Sequence, residues 1–74
     1  MKKLIVESLD ELPGMIRNER KRQNLSQRQL AYMAGVGNKT VGTAELGKYT
    51  PHVEVLLDIH KALGYDIVEF RLRK

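Results

Sequence analysis

The sequence predicts a mostly α-helical single domain over residues 1–74, built from four helices and closed by a short β-strand. Three observations carry that prediction. Apolar residues recur at helical spacing in four segments, and most of these are opened by a capping pattern or a proline and closed by Gly or Asn. After Gly64 the period changes to two, since in "DIVEFRLR" Val68, Phe70 and Leu72 alternate with Glu69, Arg71 and Arg73. Cysteine is absent, so packing has to hold the fold without disulfides or thiolate metal sites.

Each element follows in order. "KLIVE" (Lys3 to Glu7) is brief and β-branched and reads as a strand. Ser8 and Glu11 then have capping-box spacing, with Leu9, Leu12, Met15 and Ile16 behind them. Pro13 is tolerable only in a first helical turn, which predicts a loose turn over Leu9–Leu12 and regular helix to about Gln23, ended by Asn24. The second helix has the clearest start. Ser26 and Gln29 form a capping box, Leu25 and Leu30 stand at the hydrophobic-staple positions, and Gly35 closes the helix. A third helix from Asn38 to Leu46 turns Val41, Ala44 and Glu45 inward and stops at Gly47. Pro51 suits the first turn of a fourth helix reaching Leu63, with Val53, Leu56, Leu57, Ile59 and His60 on its apolar face. The final strand spans about residues 66–72, with Val68, Phe70 and Leu72 on its buried side. Met15 and Met33 read as core filler.

The composition narrows the function. With 42% hydrophobic and 30% charged residues the chain is globular rather than disordered. No apolar run approaches the roughly 18 residues of a membrane span, and "MKKLIVES" does not make a signal peptide, so a cytoplasmic protein without membrane attachment is expected. The net charge of +4 favours an anionic partner, weakly. "RNERKR" (Arg17 to Arg22) taken alone is a solvated helix face. His52 and His60 have no Cys or carboxylates arranged around them, so no metal is expected, and no Ser/His/Asp set emerges. "GTAELGKYT" nearly spells a phosphate loop, but Tyr49 stands where the magnesium-holding hydroxyl belongs and a capped helix precedes it. Neither a cofactor nor an enzymatic activity is implied.

Two short helices joined by a glycine-containing turn have the spacing of a helix-turn-helix, over about residues 26–46. "LSQRQLAYMAGVGNKTVGTAELGKYTP" resembles that motif in the phage Cro and repressor (XRE-like) family, through Ser26-Gln27, Leu30-Ala31, Ala34-Gly35-Val36, Thr40-Val41, Glu45, Gly47-Lys48 and Pro51. The resemblance runs from about Met15 to Gly64 and implies a lambda-repressor-like fold. It also implies a buried ion pair between Glu45 and Arg20, consistent with the need of a half-buried charge for a partner.

In that family the third helix enters the major groove of double-stranded DNA. Carried over, its outer face is Gly37, Asn38, Lys39, Gly42 and Thr43. Asn38 suits adenine, Lys39 guanine and Thr43 a thymine methyl group. Gly42 departs from the family, where a polar side chain is usual, and either permits close backbone approach to DNA or leaves few bases read. Phosphate contacts are expected from Gln27 and Arg28 at the start of the second helix and from Lys48, Tyr49 and Thr50 past the third.

The lead-in "ESLDELPGMIR" and the ending "LGYDIVEFRLRK" resemble the HipB-type antitoxin branch, in which C-terminal strands of two protomers pair. A lone strand needs a neighbour, either "KLIVE" of the same chain, the same strand of a second chain, or both. The function implied is a repressor binding a palindromic operator as a homodimer. The alternative is an antitoxin whose main partner is a toxin protein and whose DNA binding serves autoregulation.

Overall fold

The computed structural model of the chain describes residues 1–47 and 52–72. Strand β1 (Lys3–Val6) leads through a 3-10 turn (Leu9–Glu11) into helix α1 (Leu12–Arg22). Helices α2 (Gln27–Ala34), α3 (Asn38–Leu46) and α4 (Val53–Ala62) follow, and strand β2 (Ile67–Phe70) ends the fold. Pro13 lies in the first turn of α1, where its missing N–H costs nothing, and the chain before it makes the tighter 3-10 turn. Ser8 caps that turn by accepting from the amide of Asp10 rather than from Glu11. Leu9 is consequently outside α1 and 39% exposed instead of continuing its apolar stripe.

α2 begins as expected. Ser26 Oγ accepts from the Gln29 amide (2.9 Å) while Gln29 Oε1 accepts from the Ser26 amide (2.7 Å). It ends at Gly35 with φ 70°, a left-handed conformation that turns the chain toward α3 without a Cβ penalty. Asn24 also takes a left-handed conformation, φ 58°, between α1 and α2.

The core is one cluster fed by every helix. Leu12 and Ile16 come from α1, Leu30 and Ala31 from α2, Val41 and Ala44 from α3, Leu56 and Ile59 from α4, joined by Val6 and Leu63. Ala31 is fully buried, so its small side chain is what lets neighbouring helices approach. Met33 is not core filler, since it is 51% exposed, and Met15 is only half-buried. Both lie on the rims of their helices' apolar stripes, where a long flexible side chain reaches solvent.

The two strands pair with each other, in parallel and within the chain, in the register Lys3↔Ile67, Leu4↔Val68, Ile5↔Glu69 and Val6↔Phe70. Leu4, Val6, Val68 and Phe70 share the face turned to the core. β2 is shorter than the alternation suggested. It stops at Phe70, and Leu72 lies beyond it and 49% exposed rather than on the buried side. The strand ends are tied down by Lys2, whose amide donates to Asp66 Oδ2 (2.8 Å) and whose ammonium sits 4.4 Å from the Tyr65 ring centre.

His60 is fully packed in α4, 1% exposed. Its Nδ1–H donates to the Leu56 carbonyl at 2.6 Å, and Nε2 has no partner among the described residues. Burial pushes its pKa down, opposed by the bond to Leu56.

Candidate nucleic-acid interface

The helix-turn-helix is held in shape by one charged contact. Arg20 projects from α1 and meets Glu45 of α3 in a two-pronged pair, Nε to Oε2 at 2.7 Å and Nη2 to Oε1 at 2.9 Å. The remaining nitrogen, Nη1, donates to the Leu25 carbonyl at 2.8 Å, in the turn that leads to α2. One planar guanidinium therefore ties α1, the α1–α2 turn and α3 together, a geometry that an ammonium cannot reproduce. Both side chains are nearly buried, 11% and 5% exposed, and the bond to Glu45 raises the Arg20 pKa against the opposing effect of burial.

The basic run that contains Arg20 divides by role. Arg22 and Lys2 both bond Glu19, and these bonds together with that from Gln23 hold the Glu19 carboxyl far below the usual carboxylate range. Gln23 also reaches across to the Leu63 carbonyl (2.7 Å), which links α1 to the end of α4. Arg17 remains on the surface, beside α3.

The residues expected to meet bases fall on one side of α3, in unequal states. Asn38 and Lys39 are exposed at its N-terminal end. Thr43 is half-buried, and its hydroxyl donates back to the Lys39 carbonyl at 2.9 Å, which leaves its methyl group as the free part. Gly42 has a local explanation in packing. A Cβ there would lie 3.2 Å from Gln27 Oε1, so the Gln27 side chain already occupies the space a larger residue would need. From that position Gln27 Nε2 reaches Glu45 Oε1 at 3.3 Å, the long end of a hydrogen bond. The first residue of α2 is thereby laid across the middle of α3.

Arg28 is exposed beside Gln27. Lys48, Tyr49 and Thr50, expected to contact phosphate, lie outside the described residues, as does Pro51 at the expected start of α4.

Two residues of this region escaped sequence reasoning. Leu46 is 69% exposed at the C-terminal end of α3, and Arg17 borders the same shallow recess, which Gln27, Gly42 and Glu45 complete. A signal for Leu46 was available, because it stands seven residues after Lys39 and four after Gly42, on the outward face of the helix. Among the described residues there is no cluster of His, Cys, Asp or Glu suited to a metal, and no helix is long and apolar enough to cross a membrane.

Comparison with known proteins agrees with this geometry. A family profile described as helix-turn-helix matches residues 16–70. An uncharacterized HTH-type transcriptional regulator of Sinorhizobium fredii is 37% identical over 57 residues, covering 77% of this chain and 75% of that protein. Another, from Methanothermobacter thermautotrophicus, is 36% identical over 55 residues, covering 74% of this chain and 80% of that protein. The chain belongs to the XRE-type helix-turn-helix family.

Proposed function

We propose that the protein is a DNA-binding transcriptional regulator that sits as a homodimer on a palindromic operator and represses by occupying the promoter. The observation that carries this reading is the exposure of Asn38 and Lys39 at the start of a helix locked from behind by the Arg20–Glu45 pair. Base-edge recognition requires side chains on a rigid element, because a donor misplaced by about 1 Å loses its bond. The names of the two relatives, both HTH-type transcriptional regulators, support the same reading. Asn38 and Lys39 read bases, Gly42 and Thr43 lie against the base edges, and Gln27 and Arg28 hold a phosphate at the start of α2. Lys48, Tyr49 and Thr50 hold the other backbone strand.

The sheet supports dimerisation. β2 has only β1 beside it among the described residues, and Ile5 and Ile67 stand 38% and 41% exposed on its outer face. Two-stranded parallel sheets of this size are marginal alone, and a second copy would cover both the edge and the apolar pair. An antitoxin role would use the same DNA-binding half and add a toxin protein as partner. A stoichiometric second protein co-purifying with the chain would favour it.

Selection of random duplexes on the purified protein tests the main reading. The expected product is a palindrome with half-sites about one helical turn apart. Lys39→Ala should relax the preference at one position per half-site, whereas Arg28→Ala should weaken all sequences alike and flatten the salt dependence. Recovery of no motif, with salt-insensitive binding, would exclude it.

A further inference from the structure

The outer face of α3 changes chemistry along its length. At about 100° per residue, Lys39, Gly42, Thr43 and Leu46 share that face. Its N-terminal end is polar, with Asn38 and Lys39 exposed. Past them, the described residues of the helix offer that face no free side-chain donor: Gly42 has no side chain, Thr43 donates its hydroxyl to the Lys39 carbonyl, and Leu46 is apolar and 69% exposed. Leu46 is more exposed than Leu9 (39%) and Leu72 (49%), the other leucines left open at the surface of the domain.

A single exposed leucine needs no explanation on its own. What distinguishes this one is its setting. It lines a shallow recess together with Gly42, Glu45, Gln27 and Arg17, and it continues the line from Lys39 about 10 Å along the helix axis. That distance corresponds to about three base steps along a duplex. The major-groove edge of DNA carries one apolar group, the 5-methyl of thymine, which aliphatic side chains recognise by contact.

We propose that Leu46 is a specificity-determining residue that packs against the 5-methyl group of a thymine, about three base pairs from the base met by Lys39. This rests on α3 being the base-reading helix. Gln27 lies over Gly42 and lines the recess beside Leu46 together with Arg17 and Glu45, and the methyl group enters what that recess leaves open. The polar and apolar halves of one short helix thus read two kinds of base edge, and the half-site contains a thymine that no hydrogen bond would select.

The test uses duplexes recovered by selection, resynthesised with deoxyuridine in place of one thymine at a time, which removes only the methyl group. The wild-type protein is expected to lose about three- to fivefold in affinity at one thymine of each half-site, the worth of one buried methyl group. Leu46→Ala should lose a similar factor on the thymine duplex and nothing further on the deoxyuridine duplex. The deoxyuridine scan on wild-type protein stands even if the variant folds poorly, and circular dichroism checks that it does not. Insensitivity of the wild-type protein to every single replacement overturns the proposal. So does a Leu46→Ala variant that keeps the full deoxyuridine loss, because the methyl group would then belong to Thr43. Should selection return no motif, the base-reading role of α3 fails first and this proposal falls with it.

Discussion

At the scale of single residues, Arg20 and His60 matter most, and both are polar groups in places where water is scarce. The Arg20–Glu45 pair shows how a small domain fixes the angle between helices without a larger core. Removing one partner strands the other, which costs about 3–5 kcal/mol for a buried pair. A domain of this size has only about 5–10 kcal/mol in total. Arg20→Ala is therefore expected to be largely unfolded in mild urea, while Arg20→Met combined with Glu45→Leu recovers much of the loss. Urea midpoints of the three proteins decide this. His60 predicts a pH dependence. Burial lowers its folded pKa, so as pH falls below about 6.5 the unfolded chain takes a proton that the folded chain resists. Stability is complete above that pH and declines beneath it. Glu19, held far below the usual carboxylate range by its bonds to Arg22, Lys2 and Gln23, adds a separate loss only at acid pH, below about 4.5, where the unfolded carboxylate takes up a proton. The urea midpoint should drop between about pH 7.5 and about pH 5.5 in the wild-type protein and far less in His60→Leu.

At the scale of elements, the helix-turn-helix is assembled from local signals that hold in space. The Ser26–Gln29 box starts α2 and Gly35 ends it, each through atoms no more than a few residues apart. Ser26→Ala should cost about 1 kcal/mol, lowering Tm by about 4–8 °C in a domain this small, as differential scanning calorimetry can measure. The crossing of α2 over α3 is where sequence reasoning stopped short. Gly42 looked like a missing base-reading residue, and the contact that accounts for it comes from Gln27, fifteen positions earlier in the chain. Position 46 faces outward by helical geometry, and only the folded arrangement shows that Leu46 is left 69% exposed.

At the scale of the whole molecule, the chain closes on itself through β1 and β2, which bring residues near both ends of the sequence into one sheet against the core. Its outer face keeps Ile5 and Ile67 half-open, with Lys3 paired to Glu69 between them and Arg71 bonded to the same carboxylate. A dimer joined there would be stabilised by mass action. Tm is then expected to rise with protein concentration, and sedimentation equilibrium should show reversible association at micromolar levels. A concentration-independent Tm with a monomer mass at all loadings would exclude the homodimer.

Where helices begin and end is legible along the chain, because caps, staples, glycine stops and the 3.6- and 2-residue periods act over a few residues at a time. So is the family, since the residues of the motif sit at fixed spacings around one turn. Which partners distant residues find is settled by folding. It paired the two strands in parallel within one chain, buried His60 completely, left Leu72 outside the sheet, laid Gln27 against Gly42 and set Leu46 in the open. The physical reason is common to all five. Local signals choose a backbone conformation, whereas exposure and contact depend on how separately formed surfaces pack, and no spacing along the chain specifies that packing.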